Sequence, residues 1–385
     1  MTRLDAQFAF LDEVDRLKTI ERSNCLIDLS RHENSAEHSW HLALFALIFA
    51  PEAGAGVDIN RAILMLLLHD IVEIDAGDHP IHEEHDWQAV ARNELKAAER
   101  IYGLLPADLT SDFMAAWQEF EACETPTARY AKMLDHVQPV FQTVAPDAPI
   151  DWHRDIANET LNEGRASWLR ESWPVLWSFG RKMCDGTLTD ADWNTDTGKR
   201  LQFLLEADKL KTVLRATPLA DNSRRENSGE HSWHIALYGP VLADQAFSDV
   251  EISRVVQMLL IHDIVEIDAG DAPIHGDFDA SEQEAKEQAA AKRLFGLLPA
   301  DQAAEFRSLW DEFEAAESPD AVFGKSIDRV QPLLQNMASG GGSWIDYDVT
   351  LEQIDARVGV KVQRGAPGVW EFIRNRAAQW FAGNS

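Results

Sequence analysis

Cysteine is scarce in this chain: Cys25, Cys123 and Cys184 are the three among 385 residues, and all fall in the first half. Without paired spacing or later counterparts they support neither a disulfide framework nor a zinc–thiolate site, and a reducing cytoplasm is the default location. Positive charge is thin as well, 35 Lys and Arg against 65 Asp and Glu, a formal net charge of −30. Such a surface repels phosphate backbones, so nucleic acid is excluded as the main partner, and any phosphate site needs a local cation or metal. No apolar run is long enough to cross a bilayer, so no membrane partner is expected. The opening stretch, Met1 to Ile20, mixes acidic and basic residues among its apolar ones, unlike a secretory signal. Runs of alternating apolar and polar residues are also missing, and with them any sign of a large sheet.

What is present is a duplication. The decapeptide His-Asp-Ile-Val-Glu-Ile-Asp-Ala-Gly-Asp runs from His69 to Asp78 and again from His262 to Asp271, an offset of 193 residues. The same offset relates Leu17-Lys18-Thr19 to Leu210-Lys211-Thr212, Leu104 to Asp108 with Leu297 to Asp301, and Gln138-Pro139 with Gln331-Pro332. From Arg31 to Pro80, 30 of 50 positions match their partners, which makes this a full-length repeat rather than a shared motif. Two domains follow, residues 1–193 and 194–385, with the boundary near Asp190 to Asp196. The connection is short, so packed halves are expected.

Within one copy the periodicity is helical, and each domain is expected to be all-α. Phe8, Leu11, Val14 and Leu17 step at three and give an opening helix one apolar face. Residues 30–34 read as a polar connection. Asn34 or Ser35 can cap the next helix, with Glu37 completing a capping box, which puts His38 in the first turn. A motif helix is expected over 61–76, then helices over 87–102, 109–123, 128–144 and 166–183, with Pro106 and Pro126 between them.

His69 and Asp70 are adjacent, so on a helix they can converge on one point beside it, and Glu73 shares their face. Burying that triplet at the end of an apolar helix is costly unless a cation compensates. Imidazole with carboxylate suits zinc, manganese, iron or cobalt, and two more ligands are required. His38 and Asp135 are the best candidates, since both sit in apolar helices and both repeat, as His231 and Asp328. His41, repeated as His234, reads as a core histidine or one that supports a ligand. His82, repeated as His275, reads as a loop residue near substrate. His32, His79, His85, His136 and His153 have no histidine counterpart and read as surface residues.

The order His, His-Asp, distant Asp resembles the HD superfamily of metal-dependent phosphohydrolases. Residues 33–39 and 69–78 are similar to the bacterial 5′-deoxynucleotidase branch of it. The resemblance implies two tandem HD-type helical domains, each binding one divalent transition metal (Mn, Co, Zn, Fe or Ni). It implies His38, His69, Asp70 and Asp135 as ligands in the first half, and His231, His262, Asp263 and Asp328 in the second. Glu73 and Glu266 would act on the attacking water or the leaving group, Asp78 and Asp271 would face the sugar, and Arg22 and Arg215 would bind phosphate. One departure bears on sugar selectivity: the tryptophan expected after the arginine is replaced by Ser23 and Ala216. The implied reaction is hydrolysis of nucleoside 5′-monophosphates or related phosphomonoesters, a small-molecule phosphate substrate. Two other classes compete: a dinuclear iron oxygenase, which needs two further histidines before the last Asp, and a nucleotide-binding protein with inactive sites. Single-domain relatives resemble dimers, so the two halves are expected to pack as an intramolecular pseudo-dimer.

Overall fold

The computed structural model describes residues 2–79, 85–146 and 150–383. The opening apolar face forms α1 (Arg3–Val14), started by a capping box between Thr2 and Asp5. A 3₁₀ turn then leads to an antiparallel ribbon of β1 (Glu21–Cys25) and β2 (His32–Asn34). The expected polar connection at 30–34 is thus partly a strand, and Arg22 lies on β1. Strands this short and polar leave no alternating pattern to read. At Asn34 the expected capping box forms: its side chain accepts from Glu37 N, and Glu37 accepts from Asn34 N. The helix it starts, α2 (Ser35–Ile48), is buried along its whole length, with His38 in its first turn.

The motif helix is interrupted. After α3 (Ile59–Leu68), His69–Val72 tighten into a 3₁₀ turn, and a short α4 (Glu73–Ala76) stops at Gly77, whose φ is +80°. Side chains claim the carbonyls that a continuing helix would use. Leu66 O accepts from His69 Nδ1, Leu67 O from Trp233 Nε1, and Leu68 O from Tyr102 Oη. In a 3₁₀ turn residues i and i+3 eclipse, which lines Glu73 up with Asp70.

Next come α5 (Trp87–Tyr102), α6 (Ala107–Ala122) and α7 (Pro126–Val144); Pro126 sits at the start of its helix, where its missing N–H costs nothing. A helix not anticipated, α8 (Asp151–Asn162), follows. The helix expected over 166–183 is split into α9 (Leu169–Ser172) and α10 (Pro174–Asp185), because Pro174 cannot continue a helix already under way. The bridge to the second half is α11 (Asp190–Trp193) and α12 (Asp196–Ala207).

The second half repeats the order with a ribbon, β3 (Leu214–Pro218) and β4 (Arg225–Asn227), then α13 (Ser228–Val241), α14 (Ile252–Ile261) and α15 (Glu266–Ala269). Behind them lie α16 (Ala280–Phe295), α17 (Ala300–Ala315) and α18 (Pro319–Ala338). The chain closes, among the described residues, with α19 (Ser343–Asp346), α20 (Leu351–Ile354), a π-turn (Asp355–Gly359), α21 (Val360–Gly365) and α22 (Pro367–Gly383). The described residues are therefore mostly helical, with a small ribbon in each half. Among the described residues no helix is long and apolar enough to cross a membrane.

The halves meet along α2 and α13. Their contacts come in reciprocal pairs at the 193-residue offset, as in an isologous dimer interface. Trp40 Nε1 donates to Leu260 O at 3.0 Å, and Trp233 Nε1 donates to Leu67 O at 3.1 Å. Asn34 donates to Glu230, and Asn227 to Glu37. Each opening helix crosses over: on α1, Gln7 donates to Val241 O and Phe8 stacks on Phe372 at 5.1 Å. In return α12 lies on the first half, with Arg200 on Glu52 and Leu204 O accepting from His41 Nε2.

Trp40→Phe and Trp233→Phe each strand a buried carbonyl at the seam. Each is expected to destabilise the protein by about 1–3 kcal/mol, read as a lower urea midpoint, and the two losses should be alike.

Candidate functional site

Three elements of each half bring their acidic and imidazole groups to one point. From α2 comes His38, from the 3₁₀ turn His69 and Asp70, and from the middle of α7 Asp135. His38 Nε2 lies 3.3 Å from Asp135 Oδ1, and His69 Nε2 lies 3.1 Å from Asp70 Oδ1 and 3.8 Å from Asp135 Oδ1. In the second half the corresponding distances among His231, His262, Asp263 and Asp328 are 3.1, 2.9 and 3.9 Å. One donor atom each from His38, His69 and Asp135, and from His231, His262 and Asp328, could hold a metal ion.

The protonation pattern fits a cation there. His69 Nδ1 donates to Leu66 O at 2.8 Å and His262 Nδ1 to Leu259 O at 2.9 Å, which leaves a lone pair on each Nε2. Both Nε2 atoms are buried and have no hydrogen-bond partner. A lone pair facing two carboxylate oxygens is repulsive, and a divalent ion between them turns the repulsion into ligation. Burial opposes the charge on Asp135, yet its hydrogen bond with His38 holds it well below the usual carboxylate range. Asp328 is held low in the same way by His231.

Arg22 and Arg215 reach the same place from β1 and β3. Arg22 Nη1 donates to Asp70 Oδ2 at 2.8 Å and lies 4.0 Å from Glu73 Oε1; Arg215 repeats both distances with Asp263 and Glu266. Glu73 Oε2 accepts from Ser35 Oγ at 2.6 Å, as Glu266 does from Ser228. Burial, and then the Asp70 carboxylate, push Glu73 well above the normal glutamate range against the pull of Arg22, and Glu266 is raised by the same causes. Asp78 and Asp271 are raised chiefly by burial.

Each cluster opens into a cavity. Arg22, Ser23, His69, Asp70, Glu73, Asp78 and Asp135 line the first, and Arg215, Ala216, His262, Asp263, Glu266, Asp271 and Asp328 the second. His38 and His231 sit behind, fully buried. The histidines, aspartates, glutamates and arginines expected as ligands, acids and phosphate contacts are thus brought together in each half. His79 and His136, expected on the surface, instead line the first cavity, because the segment after Gly77 and α7 face it. His275 lines the second cavity, whereas His82 lies outside the described residues. His41 and His234 are core histidines, each beside a buried lysine and each held neutral by burial and then by that lysine.

Several site residues were not singled out from sequence. Glu33 Oε2 faces His38 Nδ1 at 3.5 Å, and Glu226 Oε2 faces His231 Nδ1 at 3.4 Å. Ser35 and Ser228 hold the glutamates, and Lys132 and Lys325 line the cavities. Each of these pairs keeps its residue type across the 193-residue offset, and that was the available signal.

The family model described as "HD domain" matches this chain twice, over residues 14–177 and 207–370. The human 5′-deoxynucleotidase HDDC2 is 32% identical over 136 residues, 35% of this chain and 65% of that relative, so the match falls short of two thirds of its length. A 5′-deoxynucleotidase of Yersinia pestis is 28% identical over 162 residues, 39% of this chain and 81% of that protein. Among solved structures, a predicted metal-dependent phosphohydrolase from Magnetospirillum magnetotacticum is 47% identical, with a TM-score of 0.46, covering 49% of this chain and 93% of that one. The chain belongs to the HD-domain family, carries that domain twice, and is homologous to 5′-deoxynucleotidases.

Proposed function

We propose that the protein is a metal-dependent phosphomonoesterase acting on nucleoside 5′-monophosphates or related small phosphate esters, with one site in each half. The observation that carries this reading is the unpartnered, lone-pair-bearing His69 Nε2, set among carboxylates in a cavity that also presents Arg22 and Glu73. His38, His69, Asp70 and Asp135 would hold one divalent transition metal (Mn, Co, Zn, Fe or Ni), and His231, His262, Asp263 and Asp328 another. When bound, the metal supplies Lewis-acid polarisation of the phosphoryl group and lowers the pKa of water.

The rest of the chemistry falls to side chains. Arg22 presents a planar guanidinium that can take two phosphate oxygens and offset charge growing in the transition state. It is also the local cation that a chain of net charge −30 requires to attract an anion. Glu73, whose protonated form burial and then Asp70 favour, gives its proton to the ester oxygen as the P–O bond breaks. It recovers a proton from the water whose oxygen forms the new P–O bond. Ser35 fixes the rotamer that this transfer needs. Asp78, at the cavity wall, is placed to accept from a sugar hydroxyl. Ser23 and Ala216 leave the wall beside the arginine small, so sugar selectivity rests on other contacts. Both halves keep the same donor set, which favours two working sites over one that has decayed.

Purified protein supplied with Mn²⁺ or Co²⁺ and a panel of nucleoside 5′-monophosphates is expected to release inorganic phosphate, and a chelator should stop it. The double variant Asp70→Ala with Asp263→Ala is expected to lose phosphate release and bound metal together; full turnover in that variant sinks the assignment. Arg22→Ala combined with Arg215→Ala should lower kcat/KM by roughly 10²- to 10³-fold, the scale for removing a donor to transition-state charge, while metal content is kept.

A further inference from the structure

Two lysines are completely buried at the seam between the halves, Lys18 and Lys211. Lys211 Nζ has three N–H donors and shares them among Glu33 Oε1 at 2.6 Å, Asp208 Oδ1, His41 Nδ1 at 3.0 Å and Gln142 Oε1 at 3.2 Å. Lys18 Nζ does the same with Glu226 Oε1 at 2.7 Å, Asp15 Oδ1, and His234 Nδ1 at 2.9 Å. The acceptors of each lysine could themselves hold a metal ion, as Glu33, His41 and Asp208 or as Asp15, Glu226 and His234. The ammonium already fills that position.

The other oxygen of each glutamate points elsewhere. Glu33 Oε2, buried and without a hydrogen bond, lies 3.5 Å from His38 Nδ1, which is also buried and unpartnered. Glu226 Oε2 lies 3.4 Å from His231 Nδ1. Lys211 belongs to the second half and His38 to the first; Lys18 belongs to the first and His231 to the second. Each chain of contacts therefore crosses the seam, from an ammonium in one half through a carboxylate to an imidazole in the other.

We infer that Lys18 and Lys211 are positioning residues for the metal site of the opposite half, acting through Glu226 on His231 and through Glu33 on His38. This inference rests on the reading of those histidines as metal ligands. A carboxylate beside Nδ1 favours the proton on that nitrogen and turns the ring so that Nε2 faces Asp135 or Asp328, where a cation can take over the contact. A fully buried glutamate can do this only if something compensates its charge. Arg22 Nε lies 3.9 Å from Glu33 Oε2 and Arg215 Nε 3.7 Å from Glu226 Oε2, too far for a hydrogen bond, so each arginine adds to the compensation while the lysine makes the closer, hydrogen-bonded contact. In the second half Gln331 contributes as well, since its Oε1 lies 3.1 Å from His231 Nδ1 while its Nε2 donates to Glu226.

The test is Mn²⁺ titration calorimetry on two parents of the full chain. Asp263→Ala with Asp328→Ala leaves only the first site, and Asp70→Ala with Asp135→Ala leaves only the second. A lone Lys→Met change strands buried carboxylates, so each lysine is replaced together with its aspartate: Lys211→Met with Asp208→Asn, and Lys18→Met with Asp15→Asn. In the first-site parent the Lys211 variant is expected to weaken Mn²⁺ about 10- to 100-fold, the scale for losing a group that orients a ligand. There its effect should exceed that of the Lys18 variant by at least about tenfold, and in the second-site parent the order should reverse. Loss of folding stability alone would weaken both parents in the same order, and that result overturns the inference. So does an effect of each lysine on the site of its own half. Crossed Mn²⁺ effects in a protein that hydrolyses no phosphate ester leave the inference standing and remove the proposed reaction. A wild-type chain that binds no Mn²⁺ removes both.

Discussion

The arrangement of this molecule depends on two ammonium groups buried where its halves meet. A lysine with no access to water is tolerated only when every N–H has an acceptor and the charge is matched. Lys18 and Lys211 meet that condition by drawing carboxylates and a neutral histidine from both halves. Neither half can satisfy its own lysine. The seam is thus fixed in register by charge as well as by the apolar contacts of α2 and α13, since sliding one helix would leave several buried ions without partners. The tryptophan hydrogen bonds across the seam add a second constraint, because they take carbonyls from the ends of α3 and α14, where the His-Asp pairs begin.

That coupling explains the shape of the site. A continuous helix would have carried His69, Asp70 and Glu73 around its surface at 100° steps. Instead the chain tightens at His69, where carbonyls at the end of α3 have already been claimed by side chains. The tighter turn lines up Asp70 and Glu73 and leaves the His69 Nε2 lone pair facing carboxylates. The like charges that result are also what raise Glu73, after burial, toward the protonated state that an acid role requires.

Much of this was legible in the sequence, and the reason is periodicity. A 193-residue repeat, helical spacing and a capping box at Asn34 describe α2, α3 and α5 to α7, because α3 and α5 to α7 each bury one face and the fully buried α2 starts at a polar cap. The site residues were legible because imidazole and carboxylate recur at one spacing in apolar surroundings. The short ribbon holding Arg22 was not, since four polar residues followed by Cys25 carry no period. The break after Leu68 was not either, because it depends on hydrogen bonds from Trp233 and Tyr102, 166 and 34 residues away. Lys18 and Lys211 were visible as a repeated Leu-Lys-Thr, but nothing local says that a lysine is buried, or against which half.

The exchange of opening helices also has a consequence for how the chain reaches this state. Gln7 bonds to Val241 O, and Asp15 accepts from Gln335, 320 residues later. Contacts this distant in sequence make for slow, topologically costly folding. During synthesis, α1 leaves the ribosome long before its resting place on α13 and α22 exists, so the first HD domain waits, incompletely covered, for the second. The duplicated chain behaves in this respect like a dimer whose partner is always at hand but always arrives late.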